Sequence, residues 1–84
     1  MTKEHEITVT IESGRGTQQF IFPMQTKVQE AANQAAVALG YPAGGKYALF
    51  RFSTKEELEG ERTLVSYKIE DGEVLALSET GTGV

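Results

Sequence analysis

The sequence predicts an α+β domain in which a mixed sheet of four to five strands packs on one helix. Residues 6–12 alternate between apolar and polar side chains, and a turn and a second strand-like segment follow them. One stretch, about residues 27–39, carries apolar residues at helical spacing, and two more strand-like segments come later. At 84 residues the chain suits a single domain with one core.

The first two strands are predicted to form a hairpin. In residues 6–12 the side chains of Ile7, Val9 and Ile11 share one face, which indicates a half-buried strand. Residues 13–16, "SGRG", are typical of a tight turn, and residues 17–22 return as the second strand. Pro23 cannot donate a ladder hydrogen bond, so this strand should stop there.

The helix is predicted at about residues 27–39. Thr26 with Gln29 fits a capping box, in which two side chains satisfy unpaired amides at the helix start. Gly40 suits the left-handed position after the helix, and Pro42 prevents continuation. The predicted buried face consists of Val28, Ala31, Ala32, Ala35, Ala36 and Leu39.

The second half contains two further strands joined by an irregular crossing. Residues 46–52 form the third strand, and its face with Ala48, Phe50 and Phe52 is the better candidate for the core. Residues 53–62 are polar and loop-like, with Leu58 as an expected anchor. Residues 63–69 form a short compact segment, and residues 73–78 form the last strand, with Leu75 and Leu77 on one face.

Composition narrows the classes of function. The net charge is −4 and the pI about 4.9, and the eight basic residues are spread along the chain, which argues against a nucleic-acid partner. No stretch is long and apolar enough for a membrane span, and the absence of cysteine excludes disulfides and thiolate chemistry. We expect a cytoplasmic monomer without a cofactor, a metal site or a membrane partner.

Enzymatic chemistry has little support in the residues. His5 is the single histidine and lies in a polar segment, where it is expected to be solvated. The acidic loop (Glu56, Glu57, Glu59 and Glu61) lacks the regular ligand spacing of a calcium loop. The glycines near residues 14–16 and 44–45 fit no phosphate-binding spacing, and no Ser–His–Asp set can be assigned. We therefore predict a protein without catalytic activity of its own.

Residues 58–77, "LEGERTLVSYKIEDGEVLAL", resemble the second half of ubiquitin. The residues at family spacing are Leu58, Glu59, Arg62, Thr63, Leu64, Tyr67 and Ile69. Residues 39–45, "LGYPAGG", resemble the exit from the family's helix. The resemblance implies a β-grasp, ubiquitin-like domain at residues 6–78, between a flexible N-terminus at 1–5 and a flexible tail at 79–84. It also implies that the Tyr67 hydroxyl bonds the loop backbone near Glu59.

The tail is where the resemblance implies chemistry. The predicted conjugation tail is Gly81, Thr82, Gly83 and Val84. Gly83 and Val84 stand where ubiquitin carries its terminal Gly-Gly, so the final residue departs from the family pattern. In the family, an activating enzyme adenylates the terminal glycine, which is then carried as a thioester and joined to a lysine. The sequence resembles bacterial ubiquitin-like proteins, which accompany an activating enzyme, a conjugating enzyme and a metallopeptidase. A peptidase would first have to expose Gly83 or Gly81.

Two other interpretations stay open. The chain could be an adapter that binds partners without conjugation, or a sulfur carrier of the thiamine or molybdopterin type. The family's apolar recognition patch aligns with Leu49, Ala76 and Ser78, and Tyr47 lies beside it, so these four residues are the predicted partner-binding face. For the modifier, the lysines that could accept a second copy are Lys3, Lys27, Lys46, Lys55 and Lys68.

Overall fold

An antiparallel hairpin begins the fold. The computed structural model describes residues 6–80. Strand β1 (Glu6–Ser13) and strand β2 (Gly16–Pro23) pair over their whole length across a two-residue turn. Gly16 has φ 135°, a conformation that side chains rarely tolerate, so glycine is needed where β2 leaves the turn. The predicted hairpin is therefore confirmed, and the buried side chains of β1 are Ile7, Val9 and Ile11.

The strands form one mixed five-stranded sheet in the order β2-β1-β5-β3-β4. Strand β5 (Glu73–Thr80) lies in the centre, parallel to β1 and antiparallel to β3 (Lys46–Arg51). The two-residue strand β4 (Glu57–Leu58) pairs with β3 at the far edge. This arrangement confirms the predicted α+β fold, a ubiquitin-like β-grasp with a mixed sheet on one helix.

Helix α1 (Val28–Ala38) lies across one face of the sheet and packs mainly against β3 and β5. Its small alanine side chains allow the helix backbone to approach the sheet closely. The chain leaves the helix through Gly40, whose φ of 97° is the positive value expected at this position. The buried face of the helix consists of Val28, Ala31, Ala32, Ala35 and Ala36, while Leu39 is half-buried.

The helix begins without the predicted capping box. The predicted reciprocal pair of Thr26 and Gln29 is wrong, because no side chain caps the first turn. Instead the Val28 N–H donates to the carbonyl of Arg62 (2.8 Å), and the Gln29 N–H donates to the carbonyl of Gly60 (3.1 Å). The loop before the crossing segment thus satisfies amides that a capping residue would otherwise satisfy.

Strand β3 faces the core with the opposite set of side chains from the predicted one. The prediction that Ala48, Phe50 and Phe52 face the core is wrong, since Phe52 is 43% exposed and the other two are only half-buried. Tyr47 and Leu49 point toward the helix and are 4% and 0% exposed. Both faces of this strand are apolar, so alternation alone could not select the buried one.

The crossing from β4 to β5 is anchored by apolar side chains and by Tyr67. A short 3₁₀ turn (Val65–Tyr67) lies at its centre. The Tyr67 hydroxyl accepts a hydrogen bond from the Glu59 N–H at 2.8 Å, which confirms the anchor expected from the resemblance. The Arg62 guanidinium lies 4.7 Å above the Tyr67 ring. The buried side chains of this region are Leu58, Leu64 and Ile69.

An arginine joins the crossing segment to the sheet. Arg51, at the end of β3, lies 2.6 Å from Glu73 through Nε and Oε2. Its Nη2 donates to the carbonyl of Tyr67 at 2.7 Å. Both ion-pair side chains are only about one-fifth exposed, and the bonds hold β3, β5 and the crossing segment in a fixed relation.

The last strand is longer than the sequence predicted. It continues to Thr80, with Glu79 paired to Tyr47 and Thr80 paired to Lys46. The predicted boundary of the tail at residue 79 is therefore two residues too early. The predicted flexible segment at residues 1–5 and the rest of the tail lie outside the described residues. No helix within residues 6–80 is both long enough and apolar enough to cross a membrane.

Candidate functional site at the tail root and the outer sheet face

The tail root, which we define as Ser78, Glu79, Thr80 and the neighbouring Lys46, is where β5 leaves the sheet. Pairing of β5 with β1 ends at Ala76, whereas pairing with β3 continues to Thr80. All three β5 residues of the tail root are exposed. The chain therefore passes from the central strand directly to residue 81, at one end of the sheet. The predicted conjugation residues, Gly81, Thr82, Gly83 and Val84, lie outside the described residues.

A cluster of aromatic side chains lies beside the tail root. The Tyr47 hydroxyl donates to the carbonyl of Pro42, and the rings of Tyr41 and Tyr47 lie 5.5 Å apart. Arg15, from the hairpin turn, stands 5.0 Å above the Tyr41 ring and donates through Nη1 to the carbonyl of Gly40 at 3.1 Å. The cluster connects the hairpin turn and the loop after the helix at the end of the sheet where the tail begins.

The hydroxyl of Tyr47 has an altered acidity in this cluster. Burial raises the pKa of Tyr47 above its ordinary value of 10.0, and the negative charge of Glu79 raises it further. The hydroxyl therefore stays protonated in the folded protein at neutral pH and keeps its hydrogen bond to Pro42. Its role in this cluster is to support the loop before β3.

The structure divides the residues of the predicted partner-binding face between the two faces of the sheet. Ala76 is half-buried and Ser78 exposed, and both lie on the face of the sheet opposite helix α1. Tyr47 and Leu49 cannot join them, because both are buried on the helix side of β3. The premise that Leu49 is exposed is wrong, because its side chain is 0% exposed.

The structure places a different apolar set on that outer face. We define the outer strip as Ala48, Phe50, Val74 and Ala76, which are half-buried although the helix covers only the other face of the sheet. Phe50 pairs directly with Ala76 across the ladder between β3 and β5. Sequence reasoning missed Phe50 because it assigned that face to the core.

Acidic and hydroxyl side chains border the outer strip. Glu57 of β4 pairs with Phe50, and Glu12 of β1 pairs with Ala76 on the other side. Thr10 pairs with Val74. The outer strip is therefore an apolar centre with polar and partly acidic neighbours, a composition that suits a weak protein-binding surface.

Other candidate groups are dispersed. Of the acidic loop, Glu56 lies 4.0 Å from Arg51, and its side chain is about half exposed. Within the part of the chain that the structure describes, no group of three or more His, Asp or Glu side chains could hold a metal ion. His5 and Lys3 lie outside this part. The remaining candidate acceptor lysines are all exposed: Lys27, Lys46, Lys55 and Lys68.

Comparisons with known proteins support the fold. The sequence matches no family model and none of the curated proteins. Among solved structures, a protein designed de novo on the basis of ubiquitin has a TM-score of 0.77 and 21% identity, covering 98% of this chain and 100% of its own. A structure concerned with molecular mimicry of SUMO in DNA repair has a TM-score of 0.79 and 14% identity, with coverages of 92% and 95%.

A third neighbour is a natural domain. The N-terminal ubiquitin-like domain of the 4931431F19Rik protein has a TM-score of 0.76 and 18% identity, covering 95% of this chain and 80% of its own. At these identities the likeness concerns the fold. The chain therefore has the ubiquitin-like β-grasp fold.

Proposed function

We propose that this protein is a ubiquitin-like modifier of the bacterial type, activated through a glycine of its tail and conjugated to target proteins. The observation that carries the proposal is the ubiquitin-like fold whose central strand ends at Thr80, directly before Gly81 and Gly83. Glycine suits a segment that must enter a narrow enzyme channel, because it has no side chain. The proposed setting is cytoplasmic, and the partners are an activating enzyme, a conjugating enzyme, a metallopeptidase and the target proteins.

The chemistry belongs to the partner enzymes. The metallopeptidase hydrolyses the peptide bond after Gly83 or Gly81 and leaves a glycine carboxylate. This carboxylate attacks the α-phosphate of ATP and forms an acyl adenylate with release of pyrophosphate. A thiol of the activating enzyme displaces AMP to form a thioester, and a lysine amine of the target displaces the thiol to form an isopeptide bond.

An activation assay tests this proposal. The chain would be incubated with the adenylating enzyme from its own gene neighbourhood, ATP and magnesium in four forms: full-length, ending at Gly83, ending at Gly81, and ending at Thr80. We expect a thioester with at least one glycine-ended form and none with the Thr80-ended control. Failure of every form would sink the modifier proposal, whereas a thiocarboxylate formed when a sulfide donor is added to the same reaction would instead indicate a sulfur carrier.

A second candidate function is a non-covalent adapter, and the outer strip favours it. Phe50 and Ala76 present half-buried apolar surface on the sheet face opposite the helix. Partner capture that survives removal of residues 81–84 but is lost in Phe50→Ala would support the adapter. Val37→Ala is the matched control, since Val37 is 54% exposed on the helix, away from the outer strip. Capture that depends on the tail would count against the adapter.

A further inference from the structure

Strand β2 is an edge of the sheet with outward-facing backbone groups. Thr8 of β1 donates its N–H to Asp71 Oδ1 at 2.8 Å, and its carbonyl accepts the N–H of Gly72 at 2.7 Å. Both backbone groups of Thr8 are therefore turned away from β2. Its partner on β2 is Ile21, so this pair exchanges no ladder hydrogen bonds. The N–H and C=O of Ile21 consequently point outward, away from the sheet.

The same geometry repeats at every second residue of β2. Thr17 and Gln19 occupy the same kind of pair as Ile21 in the hairpin register, so their N–H and C=O groups also point outward. Pro23 ends the row because it has no N–H to offer. Three donors and three acceptors thus line this edge, in the order that an antiparallel strand requires.

The edge lacks the charges that usually protect edge strands. Strand β2 contains no charged residue, and Lys27 and Glu30 are the only charged residues in residues 16–45 of a chain that is 24% charged. The opposite edge, β4, is only two residues long and carries Glu57. Natural edges are generally blunted by charge, shortness or proline, and β2 has only its terminal Pro23. An uncharged surface is typical of the centre of an interface.

We propose that β2 pairs antiparallel with β2 of a second copy, with the two-fold axis at Gln19. In a two-fold interface residue i meets residue j of the other copy and j meets i, so a strand with several acidic side chains would bring acidic groups of the two copies close together. For a protein of net charge −4, β2 is a strand where this conflict does not arise. In this register Gln19 pairs with its own image, and Thr17 pairs with Ile21 of the other copy.

The side chains of β2 would be less exposed in this dimer than in the monomer. Ile21 is 53% exposed and would lie across from a threonine of the second copy. On the helix side, Phe20 is half-buried beside Phe22 because the helix packs mainly on β3 and β5. The two Phe20 residues would be diagonal neighbours whose backbones lie about 7–8 Å apart, a distance that their aromatic rings can span.

The dimer would be weak. Pairing along residues 17–21 covers much less than the roughly 800 Å² per partner of a standard stable interface. The protein would then be the predicted monomer in dilute solution and would form the dimer as its concentration rises. This association requires neither the tail nor the outer strip, so it is independent of the proposed conjugation.

Sedimentation velocity of the full chain from about 10 μM to about 1 mM tests the proposal, since a small interface gives weak affinity. We expect the wild type to shift toward dimer as concentration rises, and Gln19→Pro to stay monomeric. Proline is tolerated there because the Gln19 N–H makes no bond to β1. Gln19→Ala keeps the N–H and should associate like the wild type. A wild type that is monomeric throughout, or a Gln19→Pro chain that associates equally, would overturn the proposal.

Single cysteines test the register without relying on the proline variant. The chain has no cysteine, so each probe thiol is unique. In Gln19→Cys the two Cα atoms would lie about 5.5 Å apart, within disulfide range. In Thr17→Cys they would be four residues out of register, about 13 Å apart, and could not bond. We expect a disulfide-linked dimer under mild oxidation from Gln19→Cys alone; equal or absent cross-linking of both variants contradicts the proposal.

Discussion

Leu49 shows at the scale of a single residue how an apolar strand can be misassigned. As an exposed residue it would be a recognition site, but the structure gives it no exposed surface. Its neighbour Phe50 has the opposite orientation and contributes to the outer strip. A difference of one position along a strand exchanges the roles of core and surface, because side chains alternate between the two faces.

Substitutions of Leu49 and Phe50 should differ in their effect on the free energy of unfolding. We expect Leu49→Ala to lower the free energy of unfolding by about 2–5 kcal/mol, because it removes a fully buried side chain and leaves a cavity. Phe50→Ala should cost only about 1 kcal/mol, because that ring is already half exposed to water. Urea denaturation of both variants measures the difference. Equal losses would contradict the assigned orientation of β3.

The acidity of Tyr47 gives stability a dependence on alkaline pH. Its pKa in the folded protein is raised above the ordinary value of 10.0, chiefly by burial, so folding favours the neutral hydroxyl. This contribution is complete below pH 10 and is lost as the pH rises through the raised pKa. The urea midpoint of the wild type should therefore fall more steeply above about pH 10 than that of Tyr47→Phe. Parallel curves for the two proteins would contradict this assignment.

At the scale of elements, the start of helix α1 depends on a distant loop. The carbonyls of Gly60 and Arg62 accept the first helical amides, so the helix is held to the segment before the crossing. The sequence carries the local pattern of a capping box, but loop carbonyls accept the N–H groups of Val28 and Gln29 instead. Tertiary contacts thus replace a local motif at this helix end.

The absence of a side-chain cap leads to a direct prediction for Thr26. A true capping threonine costs about 1 kcal/mol when it is replaced by alanine. Because no side chain caps this helix, we expect Thr26→Ala to change the free energy of unfolding by less than about 0.5 kcal/mol. Thermal denaturation followed by circular dichroism measures the effect. A loss of about 1 kcal/mol would indicate that Thr26 does cap the helix.

At the scale of the whole molecule, charge is distributed unevenly. The side formed by β2 and the helix is nearly free of charge, whereas residues 56–79 carry eight of the twelve acidic residues. Long-range repulsion between two copies of net charge −4 therefore opposes association, while the proposed contact itself contains no ion pair.

This distribution predicts how salt affects self-association. Raising the ionic strength screens the repulsion between the two acidic copies, so the proposed dimer should become tighter with added sodium chloride. Sedimentation equilibrium at low and high salt measures the dissociation constant directly. Weaker association at high salt would indicate ion pairs across the interface and a contact surface other than β2.

The sequence by itself determined the order of the elements apart from the short strand β4, which lies in the segment predicted as a loop, and it determined the buried face of the helix and the crossing anchored by Tyr67. These features are encoded locally, in alternation, helical spacing and a motif of closely spaced residues. Only the tertiary structure decided the orientation of β3, the continuation of β5 to Thr80 and the capping of the helix by loop carbonyls. Each of these depends on which surface or backbone group a distant segment brings into contact. The same holds for the candidate site. Gly81 and Gly83 are recognisable in the sequence, whereas the outer strip is recognisable only from the tertiary structure, which shows which face of the sheet the helix covers.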